Sequence, residues 1–199
     1  MQNFDRGFSC ELGILNREEL TQAALAQFLE HGYHGASLRM IADKAKVKHG
    51  SIHKLSGGKE NLLFELLREA AASTYDNLAL ATPRNLDSVK AVESFVAVHL
   101  QFGLKYRQHS LLARREMHLL RSDMQATLRV LRDRKVTRLW EILSVGNSKR
   151  VFKTEDTRFA AKVIVGALEE VVDNITISDS QIEDSIRVLQ RMALRFAAH

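Results

Sequence analysis

The sequence predicts an all-α fold: a three-helix N-terminal domain built on a helix-turn-helix, followed by a larger helical bundle. Three observations carry this. Apolar residues recur at three- and four-residue spacing through most of the 199 residues, and no stretch alternates with period two. Two short amphipathic segments meet at Lys46, Val47 and Lys48, too close together for anything but a turn between helices. Charge is also concentrated there: from Tyr33 to Lys59, six basic residues (Arg39, Lys44, Lys46, Lys48, Lys54, Lys59) face one acid, Asp43. That local excess of +5 equals the excess of the whole chain, so the rest is neutral and the positive field marks where a nucleic-acid duplex would be gripped.

In chain order, Asn16 and Glu19 form an N-x-x-E capping box for a helix running through Leu20, Ala24 and Phe28 to Gly32. Ser37 is placed to cap the next helix, whose stripe is Leu38, Ile41, Ala42 and Ala45. After the turn, a short helix from about His49 to Leu55 turns Ile52 inward and leaves Lys48, His49, Ser51, His53 and Lys54 outward. Gly57 and Gly58 break the chain before a long helix from Lys59 to about Leu80, with Leu62, Leu63, Leu66, Ala70 and Thr74 inside and Pro83 ending it. Lys59, at that helix's N-terminus, suits a phosphate.

Asp87 caps a helix reaching Tyr106 that is apolar nearly all round, which places it at the centre of the bundle. A shorter helix starts near Ser110 with Leu111, Leu112, Met117, Leu119 and Leu120. The next starts at Ser122 and Asp123, with Met124, Leu128, Leu131, Leu139, Trp140 and Leu143 inward. Its Arg129, Arg132, Arg134, Lys135 and Arg138 read as a solvated face. Gly146 to Lys153 is a loop, Thr154 opens a helix with the stripe Ala160, Val163, Ile164, Ala167, Leu168 and Val171, and the box Ser178 to Gln181 opens the last, with Ile182, Ile186, Leu189, Ala193 and Phe196.

Composition excludes several classes. No run approaches the roughly 20 apolar residues of a membrane span, and the N-terminus has no signal-peptide core. Cys10 is the only cysteine, so no internal disulfide forms and a reducing cytoplasm is the expected location. The eight histidines show no H-E-x-x-H or Glu-x-x-His pair, and no Walker loop, G-x-S-x-G or G-x-G-x-x-G occurs, so neither a metal, a cofactor nor an enzyme is expected. His99 reads first as a hydrogen-bonded core residue. Phe95, His99, Phe102, Tyr106, Met117 and Trp140 either fill the core or line a pocket for an apolar or aromatic effector.

The stretch Leu20 to Leu63 resembles the DNA-binding domain of the TetR family of bacterial transcriptional regulators, on Phe28, Gly32, Tyr33, Ser37, Ile41, Ala42, Ala45, Val47, Gly50, Ser51, Ile52, Lys59, Leu62 and Leu63. It departs from the family pattern at Lys46, where a glycine is usual, at Lys48, where a capping serine is usual, and at His53 to Ser56, where a Tyr-x-His-Phe signature is usual. The resemblance implies a DNA-binding head at residues 16–58 and a ligand-binding and dimerisation body at 59–199, with 59–81 connecting them. It implies a repressor released from double-stranded operator DNA by a small-molecule effector, homodimeric through Thr154–Val172 and Asp179–Phe196. Ser37, Arg39, Lys48, His49, Ser51, His53, Lys54 and Lys59 would then face DNA. The competing reading is a helical ligand- or partner-binding protein whose head has lost specific operator binding.

Overall fold

The computed structural model describes residues 5–174 and 177–198, with the side chains of 5–16 and 179 outside the described set. Among the described residues there are α-helices and short 3-10 turns and no strand. The chain forms two compact units, one of residues up to Arg68 with Leu111–Gln125, the other of Glu69–Ser110 with the residues from Ala126 onward.

In the first unit, helix α1 spans Asp5–Gly35. It is already running at Asn16, so the Asn16–Glu19 box does not open it, and the Asn16 side chain lies outside the described residues, as does that of Cys10. Leu20, Ala24 and Phe28, one helical turn apart, are fully buried. The break falls where glycine was expected to end the helix: Gly32 has φ 69° and ψ 171°, and one further turn follows. Helix α2 spans Leu38–Lys44, and its cap is Ser37, whose Oγ accepts from Met40 N at 3.2 Å. Lys46 in the turn has φ 55°, the left-handed conformation that the replaced glycine would adopt without strain, at a cost of roughly 1 kcal/mol. Helix α3 spans His49–Ser56 and closes on Gly57 at φ 66°. Helix α4, Lys59–Ala81, begins in this unit with Leu62, Leu63 and Leu66 buried, and the chain crosses to the second unit between Arg68 and Glu69.

The second unit is built around helix α5, Ser88–Lys105, capped by Asp87 through the N–H groups of Val89 and Lys90. Phe95, Val96 and Leu100 are fully buried, as the all-round apolar pattern requires. Helix α6, Arg107–Glu116, starts earlier than Ser110 because the chain leaves helical geometry only at Tyr106. Its last turn and the 3-10 turn Met117–Leu119 belong to the first unit. Helix α7, Ser122–Ser148, runs through Gly146, so the expected loop is shorter. A side chain at Gly146 would collide with the Phe152 ring, which is what lets Phe152 fold back onto the helix and bury.

Helix α8 spans Thr157–Asn174, and its cap is Asp156, accepting from Arg158 N and Phe159 N at 2.9 Å, not Thr154. Thr154 is instead buried, its hydroxyl donating to the Ala197 carbonyl at 2.8 Å. Helix α9 spans Ile182–Ala197 behind the Ser178–Gln181 box, where Ser178 N donates to Gln181 Oε1 at 3.3 Å. The core gathers Val92, Phe95, Leu139, Leu143, Ile164 and Leu168 among others. Four residues assigned inward lie outside it: Val163, Ala167, Trp140 and Phe196 are exposed.

Candidate nucleic-acid interface and effector region

The face of α3 follows from its two inward residues. Ile52 and Ser56, one turn apart, are buried, and the positions between and before them, Lys48, His49, Ser51, His53 and Lys54, are all exposed. Ser37 and Arg39 at the start of α2 are exposed as well. Lys48 is the N-cap of α3 and makes no side-chain capping bond, so the first N–H groups of α3 lack the oxygen that a serine there would supply. His49 is held across the turn, its Nε2 2.5 Å from Asp43 Oδ1 at the end of α2.

Lys59 stands elsewhere. Its ammonium donates to the carbonyls of Tyr33 at 2.8 Å and Ala36 at 3.0 Å and sits 4.4 Å from the centre of the Tyr33 ring. Helix α1 ends at Gly35, so those carbonyls have no donor in a following turn, and Lys59 ties them down. The sequence shows the charge and helix position of this lysine but not its two carbonyl acceptors. Sequence reasoning also missed Arg115, which in the same unit donates to the Phe28 carbonyl at 2.8 Å and to Glu116 at 3.0 Å, so a second cation closes the other side of the α1 break. Ser56 is 3% exposed and its Oγ accepts from Gly58 N at 3.1 Å, while Leu55 is 39% exposed. Leu55 has not moved in to fill the place of the missing aromatic, and the serine is used as a C-terminal brace.

Five of the expected pocket residues lie in the second unit. Phe95 and His99 are core residues with ring centres 5.8 Å apart. Phe102 and Tyr106 are half-buried, and the Tyr106 hydroxyl donates to Ser73 Oγ at 3.1 Å. Met117 belongs to the first unit. Trp140, 37% exposed, lines a recess of about 440 Å³ with Pro83, Leu86, Ser88, Arg138 and Val145.

Burial pushes the His99 imidazole down to about 3, with Lys135 adding to the shift and Glu169 opposing it, so the ring is neutral. Burial alone would raise Glu169, but Lys135 at 2.9 Å and Arg132 at 2.6 Å hold it below the usual carboxylate range. The basic run of α7 is therefore only partly a solvated face: Lys135 is paired and Arg138 is turned in toward Thr82.

Comparison with known proteins agrees with this architecture. Residues 20–66 match a family profile described as bacterial regulatory proteins of the tetR family, and residues 86–173 one described as tetracyclin repressor-like, C-terminal domain. Over 57 residues the chain is 40% identical to the transcriptional repressor AcnR of Corynebacterium glutamicum, a match that spans 29% of this chain and only 30% of AcnR. Over 168 residues it is 23% identical to the fatty acid metabolism regulator protein of Bacillus subtilis, covering 83% of this chain and 86% of that protein. A tetR-family regulatory protein from Rhodococcus RHA1 superposes with a TM-score of 0.83 at 19% identity, over 92% of this chain and 97% of that one. The Bacillus subtilis regulator FadR, solved in complex with stearoyl-CoA, superposes with a TM-score of 0.69 at 18% identity, over 91% and 97%.

Proposed function

The chain belongs to the TetR family of bacterial regulatory proteins, and from that premise we propose that it is a homodimeric transcriptional repressor that leaves its operator when an effector with an apolar chain enters the helical body. The observation that carries the DNA half of this reading is the face of α3, where every outward side chain between Lys48 and Lys54 is basic, hydroxylic or imidazole and none is acidic. Such a face meets phosphates and the edges of bases in a major groove. Ser37, Arg39, Lys48, Ser51, His53 and Lys54 are the contacts we assign, and Lys59 supports them from behind.

A single helix-turn-helix covers too short a site for selectivity, and a two-fold dimer doubles it. Two unpartnered apolar stripes support that arrangement: Phe159 and Val163 on α8, and Val188, Met192 and Phe196 on α9, each spaced one turn apart and all exposed. No helix among the described residues is long and apolar enough to cross a membrane, so these stripes are not parts of a span. An acyl effector is favoured by the relatives, since one is a fatty acid metabolism regulator and one holds stearoyl-CoA.

Selection of bound duplexes from random oligonucleotides at low salt tests the reading. The expected product is a motif with two-fold symmetry and half-sites about one helical turn apart, and adding long-chain acyl-CoA should release it. If no duplex is enriched at low salt, the repressor reading fails.

A further inference from the structure

His49 and Asp43 are each badly placed for the helix they belong to. Asp43 lies in the last turn of α2, where a carboxylate opposes the helix dipole, and His49 opens α3, where a cation does. Yet the two meet across the turn at 2.5 Å while remaining half or more exposed, at 61% and 50% of their side chains. The pair does not serve either helix alone.

Its chemistry fixes the ring. An ionised carboxylate can only accept, so His49 Nε2 carries a hydrogen and donates it to Asp43. Nδ1 is then the one ring nitrogen left to meet a ligand, as an acceptor in the neutral imidazole and as a donor in the imidazolium. His49 is also the first residue of α3, and it is the N-terminal residues of a recognition helix that reach base edges.

We propose that Asp43 holds His49 as a base-reading side chain: its Nδ1 accepts from the exocyclic amine of adenine or cytosine when the ring is neutral, and donates to N7 or O6 of guanine when the ring is protonated. This rests on the DNA-binding reading above and adds to it one operator position whose preferred base depends on the state of a single imidazole. The groove edges supply the required partners, since adenine N6 and cytosine N4 are donors while guanine offers only acceptors at N7 and O6. The ring meets Asp43, and the other charged or titratable groups of this stretch are Lys44 on α2, Lys46 and Lys48 in the turn, and His53 and Lys54 on α3 itself. Of these His53, one turn further along, is the only other imidazole.

The test is the same duplex selection with the full chain at about pH 8 and about pH 5.5, conditions that favour the neutral and the charged imidazole respectively. It is run on the wild type, His49→Ala and Asp43→Ala. In the wild type one position per half-site should pass from adenine or cytosine to guanine as the pH falls, with about tenfold discrimination in each state, at the lower end of what a good base contact gives. His49→Ala should lose both the preference and the change. Asp43→Ala, which lets the ring turn and exchange tautomers, should lose most of the preference at that position and keep the rest of the motif. His49→Asn, whose amide can pair with adenine at any pH, should prefer adenine under both conditions.

If the pair only braces the turn, Asp43→Ala leaves the base preference intact, and the proposal falls while DNA binding stands. If the change with pH persists in His49→Ala, it belongs to His53 and the proposal falls again. If the wild type enriches no duplex at either pH, the DNA-binding reading fails and this one with it.

Discussion

Replacing Lys59 by Met separates two roles that a lysine at the head of α4 can play. Met keeps most of the aliphatic stem and removes the ammonium. The structure gives that ammonium two carbonyl partners, Tyr33 at 2.8 Å and Ala36 at 3.0 Å, and the Tyr33 ring at 4.4 Å. Hydrogen bonds to charged groups contribute about 1.5–3 kcal/mol each, and a cation over an exposed ring about 0.5–1 kcal/mol. Lys59 is only half-buried, so the low ends apply, and water partly replaces the lost partners. The head should lose about 2–3 kcal/mol, read as a lower urea midpoint at unchanged m-value. Counterion release gives the second reading, because log K falls with log[salt] at about 0.9 per phosphate neutralised. A cation already bonded to the protein releases nothing on binding, so the variant's affinity should fall by a similar factor at every salt concentration and its slope should stay unchanged. A slope shallower by about 1.8 for the dimer, one phosphate per head, together with an unmoved urea midpoint, would refute the structural role and return Lys59 to the phosphate.

Three further outcomes follow from the geometry. Acidic residues at Phe159 and Met192 together, 60% and 59% exposed, should give monomers by light scattering without unfolding. Val171 and Leu189, which the sequence offers for the same purpose, pack against the core and would confuse dimer loss with unfolding, and a wild type that is monomeric at tens of micromolar would count against the interface. Ser56→Phe should destabilise the head, since it overpacks a buried site at about 1–3 kcal/mol and removes the bond to Gly58 N, worth about 1 kcal/mol; a rise in melting temperature would show the site to be under-packed instead. His99, held near 3 when folded and near 6.5 when unfolded, binds a proton only in the unfolded state between those values. Stability therefore rises with pH across that window, and below about pH 6.5 the wild type should lose about 1.4 kcal/mol per pH unit relative to His99→Leu. Parallel stability profiles for the two proteins would contradict a neutral buried ring.

What the sequence made legible is what local rules determine. Ser37 and Asp87 cap the helices expected of them because each is a capping type within two residues of the first apolar stripe residue. What it concealed depends on which acceptor the fold brings near. Thr154 and Asp156 are both capping types two residues apart, and only the approach of the Ala197 carbonyl decides that the threonine is buried and the aspartate caps α8. Periodicity puts Trp140 and Leu139 equally near the inward stripe, and a helix of 27 residues drifts far enough that Leu139 is buried while Trp140 faces outward. Gly146 reads as a loop residue until Phe152 is found lying where its side chain would be.

The distribution of broken local rules is itself informative. In the body the caps hold, with aspartates at the starts of α5 and α8 and a box before α9, and among its described residues a single one, Arg150 at φ 59°, stands in the left-handed region. In the head the rules fail together between Asp43 and His49: a carboxylate at a helix C-terminus, a lysine at φ 55°, a lysine where a cap belongs, and an imidazole at a helix N-terminus. Each is unfavourable for the free fold, and chance would scatter such faults along the chain. Two of the four become favourable once an anion lies along this turn, because Lys48 and the imidazole then face phosphate and base instead of an empty helix end, and the strained Lys46 gains a partner for its charge. The fourth, Asp43, is what keeps the imidazole aimed. A turn that is poorly made for folding and well made for an anionic surface is the reason to place the DNA there, independent of any resemblance.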